Sequence, residues 1–196
     1  IDIGKTAKEH KLSQDGINML MVELSEKYDK VVRLKGGDPF IFGRGGEEAV
    51  FLREHGVDFE VVPGISSAIA VPTSFSIPLT FRDISSSVTV ITGHEMEEKE
   101  ESINWEAIAN LKGTLVILMG VGNLAKNVEH LLKHALRAET PVAVIEKGFT
   151  EDARIVVGTL GDIVELASKE KVKPPAVIVV GDVVNVREKL VLHPEE

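Results

Sequence analysis

The order of residue types predicts an α/β fold, with a mostly parallel sheet covered by helices and two domains at residues 1–82 and 83–196. Three observations carry that expectation. Short β-branched runs alternate along the chain with windows of helical hydrophobic spacing. Several of those runs stop at glycine or proline, the residues that punctuate regular structure. The 196 residues, 43% hydrophobic and 27% charged, have the make-up of an ordinary globular protein long enough to bury a core.

Taken in order, residues 1–3 read as the end of a strand. Ser13 offers the hydroxyl of an N-cap, and Ile17, Leu20, Met21 and Leu24 follow at the spacing of one helix face. The run KVVRLK (30–35) reads as a buried strand that ends at Gly36 and Gly37. Residues 45–55 read as a helix. Residues 59–62 form a strand stopped by Pro63 and Gly64, and the small-residue stretch 65–74 is helical. Between residues 78 and 87 the sequence turns polar (PLTFRDISSS), which marks the domain boundary. Strands then follow at Val88–Thr92, 114–119, Pro141–Glu146, 154–157 and Ala176–Val180, with helical windows at 123–136 and 160–169. The run EMEEKEE (95–101) reads as a solvated loop.

Composition excludes several classes. There is no cysteine, so disulfides, thiolate catalysis and thiolate metal sites are out. With 22 basic against 31 acidic residues and a net charge of -9, non-specific nucleic-acid binding has no electrostatic basis. No apolar run approaches the roughly 20 residues of a membrane span, and no secretory signal is visible, so the expected compartment is the cytoplasm. The first residue is Ile1 rather than Met, within an apolar stretch, which reads either as a cut amino end or as a fragment. His130 and His134 stand four apart on a helical window, but with no third ligand nearby they read as solvated side chains, and no metal is expected.

The densest chemical signal is VVRLKGGDPFIFGRGGEE (31–48). A strand runs into two glycines, an acid and a proline, and ligands of open α/β sheets bind beyond strand ends. Without Cβ atoms, Gly36 and Gly37 let a ligand approach the backbone. Asp38 could accept hydrogen bonds from ligand hydroxyls or an ammonium group, or could simply cap its own turn. Glu47 and Glu48 suit a helix N-terminus but would repel a phosphate. Neither a Walker loop nor GxGxxG is present. Arg33, Lys35, Arg44 and Arg82 are candidate partners for substrate carboxylates, with Arg44 and Arg82 preferred. Phe40 and Phe42 could wall a flat substrate or fill core, and Met119 could line a ligand or sit in the core.

The whole run resembles the signature of the uroporphyrinogen-III C-methyltransferases, a branch of the tetrapyrrole methylases. Further matches follow in order: VVPGISSA (61–68), IPLTFR (77–82), VITGH (90–94), LVILMG (115–120), PVAVIEKG (141–148) and PAVIVVGDVV (175–184), with Gly4, Lys5, Gln14 and Asn18 upstream. The resemblance implies two α/β domains with S-adenosylmethionine folded into the cleft between them. It implies methylation of pyrrole carbons of uroporphyrinogen III to give precorrin-2, with S-adenosylhomocysteine as by-product, and a homodimer. Carried over by residue, Gly36, Gly37, Asp38, Ile41, Ser66, Ser67, Met119 and Gly148 fall on cofactor-contacting turns. Lys5 matches the proposed proton donor; Phe40, Arg44 and Arg82 are, by their own side-chain chemistry, the candidates to meet the tetrapyrrole.

Two departures accompany the match. The family's glycine- and proline-rich first loop and its catalytic aspartate would lie before Ile1, and Phe81 stands where the family's motif has His. The alternatives are a catalytically silent binding module, or a sister methylase with another tetrapyrrole or a protein as substrate.

Overall fold

The structure, a computed structural model, describes residues 1–3, 12–93, 103–134 and 136–191, with the backbone of two short strands at Lys5–Thr6 and Glu9–His10. Two compact units emerge, Ile1–Ser66 and Ser67–Glu196. The boundary expected at 82/83 therefore lies inside the second unit. The reason is packing: residues 67–82 deliver Ala68, Val71 and Ile77 to the second unit's core.

In the first unit, β1 (Lys5–Thr6) and β2 (Glu9–His10) pair antiparallel, with Lys5 opposite His10. Helix α1 (Gln14–Ser25) starts as expected, the Ser13 hydroxyl accepting the Gly16 N–H at 3.1 Å. Helix α2 spans Gly45–Glu54. The strands expected at 1–3, 30–35 and 59–62 are absent. Val32, Leu34 and Val62 are 76%, 84% and 75% exposed, so the buried-strand reading of these runs does not hold. β-Branched residues favour a pleated surface, but a strand exists only when a neighbour completes its ladder. No described segment supplies one here.

Side chains anchor the segment at 33–35 instead. Glu48, buried on α2, accepts Lys35 Nζ at 2.9 Å, Arg33 Nη2 at 3.2 Å and Gln14 Nε2 at 3.1 Å. Burial pushes the Glu48 carboxyl up, but hydrogen bonds from Lys35 and Gln14 and the charges of Lys35 and Arg33 outweigh it, and the net shift is downward.

The second unit holds a five-stranded sheet in the order β3-β4-β7-β5-β6. Its strands are β3 (Val88–Thr92), β4 (Thr114–Leu118), β5 (Pro141–Glu146), β6 (Arg154–Thr159) and β7 (Ala176–Val180). Only β3 and β4 pair in parallel; β7 runs antiparallel to both β4 and β5, and β6 antiparallel to β5. The expected mostly parallel sheet is thus corrected to a mixed, largely antiparallel one. The link at 147–153 is too short for a parallel crossover, which needs a dozen or more residues, so β5 and β6 form a hairpin. The insertion of β7 between β4 and β5 reverses direction at the centre.

Because side chains alternate along a strand, the central strands feed two cores. Leu115, Ile117, Val142, Val144, Ile178 and Val180 point one way, toward α4 (Trp105–Asn110), α5 (Leu124–Lys133) and α6 (Ile163–Lys169). Val116, Leu118, Ala143, Ile145, Val177 and Val179 point the other way, toward α3 (Ser67–Ser74). Helix α4 and the terminal α7 (Arg187–Leu190) were not expected, being too short for periodicity to reveal. His130 is half-buried rather than solvated, its ring stacked on Trp105 with centroids 5.1 Å apart. Leu131 is fully buried, whereas Leu132 is 38% exposed.

Two outcomes follow from this packing. Leu131→Ala lowers the unfolding free energy by about 2–5 kcal/mol, read as a lower denaturant midpoint. Glu48→Gln separates from the parent protein with pH: a carboxyl whose folded value is depressed stabilises above the unfolded value of about 4.3. That stabilisation fades as pH falls through the lower folded value. The stability gap between the two proteins is widest near neutral pH and closes in acid, as thermal unfolding at a series of pH values would register.

Candidate functional site

The matched run folds into a loop from Gly36 to Arg44 that leads directly into α2. Gly37 has φ +72°, and Phe42 and Arg44 also sit in the left-handed region at 53° and 57°. The loop curls around the Pro39 carbonyl, which accepts the Gly45 N–H at 3.0 Å. A Cβ on Gly43 would lie 2.7 Å from that carbonyl oxygen, so two of the run's later glycines serve the curl rather than a ligand.

Asp38 joins two loops. One carboxylate oxygen accepts the Phe40 N–H at 2.9 Å, and the other accepts the Gly64 N–H at 3.1 Å. The first contact is the turn-capping role weighed for this residue; the second reaches 26 residues along the chain. A carboxylate has about four acceptor sites, so two backbone donors do not exhaust it. The same contact brings the turn 64–66 against the loop: a Cβ on Gly37 would stand 3.8 Å from the Ile65 carbonyl and 3.9 Å from Ser66 Cα. Gly36, Gly37, Asp38 and Ser66 are therefore neighbours within the first unit. Gly36 differs from the others. A Cβ there would meet nothing within 4 Å, so its lack of a side chain keeps an open face clear.

Ser66 is buried, whereas Ser67, the first residue of α3, is exposed. Phe40, Phe42 and Ile41 are 57%, 44% and 46% exposed, so neither phenylalanine fills core. Arg44 forks onto Glu47, with Nε 3.0 Å from a carboxylate oxygen. Arg82 is exposed. Arg33 and Lys35, considered beside them as carboxylate partners, are held by Glu48. Lys5 lies in β1, and its side chain is outside the described residues, as are His94 and the charged run 95–101. Phe81 forms an isolated bridge with Ser85.

In the second unit, β3, β4 and β5 run in one direction, so their carboxyl ends share an edge of the sheet. Met119 follows β4 with φ 55°, and Lys147 and Phe149 follow β5 at 51° and 64°. Non-glycine residues in this region are uncommon and cost of order 1–3 kcal/mol each; such strain concentrates at functional sites. Met119 is 55% exposed, which rules out its reading as a core methionine. Gly148 has a packing reason to be glycine, since a Cβ would fall 2.7 Å from a Val71 methyl carbon. Lys147 Nζ lies 2.9 Å from Asp152, and that hydrogen bond holds the Asp152 carboxyl below its ordinary value.

Sequence reasoning missed two groups that shape these turns. The sequence marks Glu48 as a helix-dipole acid, whereas the structure makes it a buried ion-pair partner; its signal is the pair of cations at 33 and 35 in the same run. Asn127 reaches from α5 to the Gly93 and Gly120 carbonyls, each at 3.4 Å, and Asn123 reaches Gly93 at 3.1 Å. These amides staple the ends of β3 and β4. No sequence signal marks that contact, because it depends on where α5 crosses the sheet.

Comparison with known proteins agrees with this geometry. The family model for tetrapyrrole (corrin/porphyrin) methylases matches residues 1–164. The S-adenosyl-L-methionine-dependent uroporphyrinogen III methyltransferase of Methanosarcina barkeri is 53% identical over 191 residues, which is 97% of this chain and 75% of that protein. The uroporphyrinogen-III C-methyltransferase of Methanocaldococcus jannaschii is 52% identical over 187 residues, 95% of this chain and 77% of that one. Among solved structures, the uroporphyrin-III C-methyl transferase of Thermus thermophilus, complexed with S-adenyl homocysteine, superposes with a TM-score of 0.76 at 36% identity. That match covers 88% of this chain and 75% of that one. With a family model over residues 1–164 and relatives more than 50% identical over most of its length, the chain belongs to the tetrapyrrole methylases.

Proposed function

We propose that the chain is an S-adenosylmethionine-dependent C-methyltransferase that converts uroporphyrinogen III to precorrin-2, toward sirohaem and cobalamin. The observation that carries this reading is the loop at 36–38, which matches the family signature and presents an open backbone face at Gly36. The names borne by relatives more than 50% identical to the chain support the substrate and the donor. A sirohaem synthase of Thiobacillus denitrificans, 47% identical over 190 residues, supports the sirohaem branch. The enzyme acts in the cytoplasm as a homodimer without nucleic acid. The net charge of -9 favours the last point, and no helix among the described residues is long and apolar enough to cross a membrane.

When bound, the donor supplies an electrophilic methyl group on a sulfonium. The chain's task is alignment, which can contribute roughly 7–11 kcal/mol toward a barrier. Gly36, Gly37, Asp38, Ile41 and Ser66 would hold the donor in the first unit; Ser67, Met119 and Gly148 are the positions that the family resemblance assigns to the donor in the second. Backbone suits this work because it is rigid and presents N–H and C=O groups without side-chain entropy. Arg44 and Arg82 take substrate carboxylates, and Phe40 offers a flat apolar face to the macrocycle. The methylated macrocycle must then shed a proton from another of its atoms, and Lys5 handles that transfer.

Gly36→Ala tests the open face. The substitution meets no protein atom, so the unfolding midpoint stays where it is while affinity for S-adenosylhomocysteine falls about tenfold by calorimetric titration. Asp38→Ala likewise weakens binding. Unchanged affinity in both variants would remove the loop from the donor site. Transfer of labelled methyl from S-adenosylmethionine to uroporphyrinogen III separates the enzyme from a silent binding module.

A further inference from the structure

We propose that Glu48 is a positioning residue for the donor loop: it clasps the segment entering the loop to the helix leaving it and so sets Asp38. The proposal rests on the reading of residues 36–38 as the donor contact. Three observations carry it.

First, Glu48 belongs to the exit. It is buried on α2, and its N–H donates to the Arg44 carbonyl at 3.1 Å. Its carboxylate holds the entry, through Lys35 at 2.9 Å and Arg33 at 3.2 Å. The two ends of the loop at 36–44 are therefore tied through one carboxylate.

Second, no strand ladder among the described residues anchors the entry. Residues 30–35 have no ladder partner among the described residues, and Gly36 has no side chain with which to anchor the entry. Lys35 is the last side chain before the glycine pair, so its clasp is the nearest side-chain anchor upstream of Asp38. Closing a loop's ends lowers the entropy its interior has left to lose on binding.

Third, the neighbouring acid shows what an ordinary helix-end glutamate does here. The Glu47 side chain is 58% exposed and pairs with the exposed Arg44, whereas the Glu48 side chain is 6% exposed and faces two cations and an amide. A charge withdrawn from water and matched in this way specifies one arrangement of the chain around it.

The test is a double-substitution cycle on the free protein and its S-adenosylhomocysteine complex. Affinity is titrated for the parent, Glu48→Gln, Asp38→Asn and the double variant, with Gly36→Ala as the independent probe of the donor site. If Glu48 acts through Asp38, Glu48→Gln weakens binding about tenfold beside Asp38 and by less than about twofold beside Asn. Amide exchange in the absence of ligand adds a second readout: the Phe40 and Gly64 amides, which donate to Asp38, exchange faster in Glu48→Gln while those of Val116 and Val144 do not.

An equal loss of affinity in both backgrounds, no loss at all, or faster exchange throughout the chain would overturn the proposal. If Asp38→Asn and Gly36→Ala both bind like the parent, the donor-loop reading fails instead, and the proposal with it. Should Glu48→Gln not fold, Lys35→Met enters the same cycle. A loss of about threefold that depends on Asp38 supports the clasp, and an additive loss refutes it.

Discussion

The second unit depends on one constraint: its central strands are buried on both faces. β4 and β5 present five-residue and six-residue stretches without an exposed side chain, and β7 lies between them. A strand in that position must satisfy its whole backbone through neighbours and both side-chain rows through packing. The antiparallel insertion of β7 meets the first demand, and helices on either side meet the second. The direction of β3, β4 and β5 is then common, and their exits fall on one edge. The turns at Met119 and at Lys147 to Phe149 are held in strained left-handed conformations by that arrangement.

The first unit is organised by charge where the second is organised by burial. Its apolar segments at 30–35 and 59–62 make no ladder, and Val32, Leu34 and Val62 stand largely in water. Order comes from polar contacts at short range: Glu48 with three donors, Asp38 with two backbone N–H groups, and the Pro39 carbonyl with Gly45. Withdrawing two cations and a carboxylate from water is costly unless they meet one another, and that requirement makes the arrangement specific. A binding loop built on backbone and glycine needs such outside support, because it has few side chains with which to fix itself.

The two kinds of order suit the proposed chemistry. Methyl transfer needs no metal-like charge from the protein at the reacting centre, since the donor brings its own positive charge and the leaving thioether is neutral. What it needs is placement, the task that the proposal gives to the glycine loop.

By itself the sequence determined the helix starting after Ser13, the helix from Gly45, all five strands of the second unit and the signature run with its glycines. These are local matters: capping chemistry, periodicity and residue volume act over a few positions. It also carried the family, because a long ordered set of motifs survives without any knowledge of contacts. Tertiary structure alone decided which strands lie side by side, and so that the sheet is largely antiparallel. It decided that residues 67–82 pack with the second unit, that 30–35 is not a strand, and that Glu48 is a clasp. The physical reason is common to all four. Ladders, core faces and buried ion pairs join residues distant in sequence, and a residue's own type states what it can offer but not what will be there to accept it.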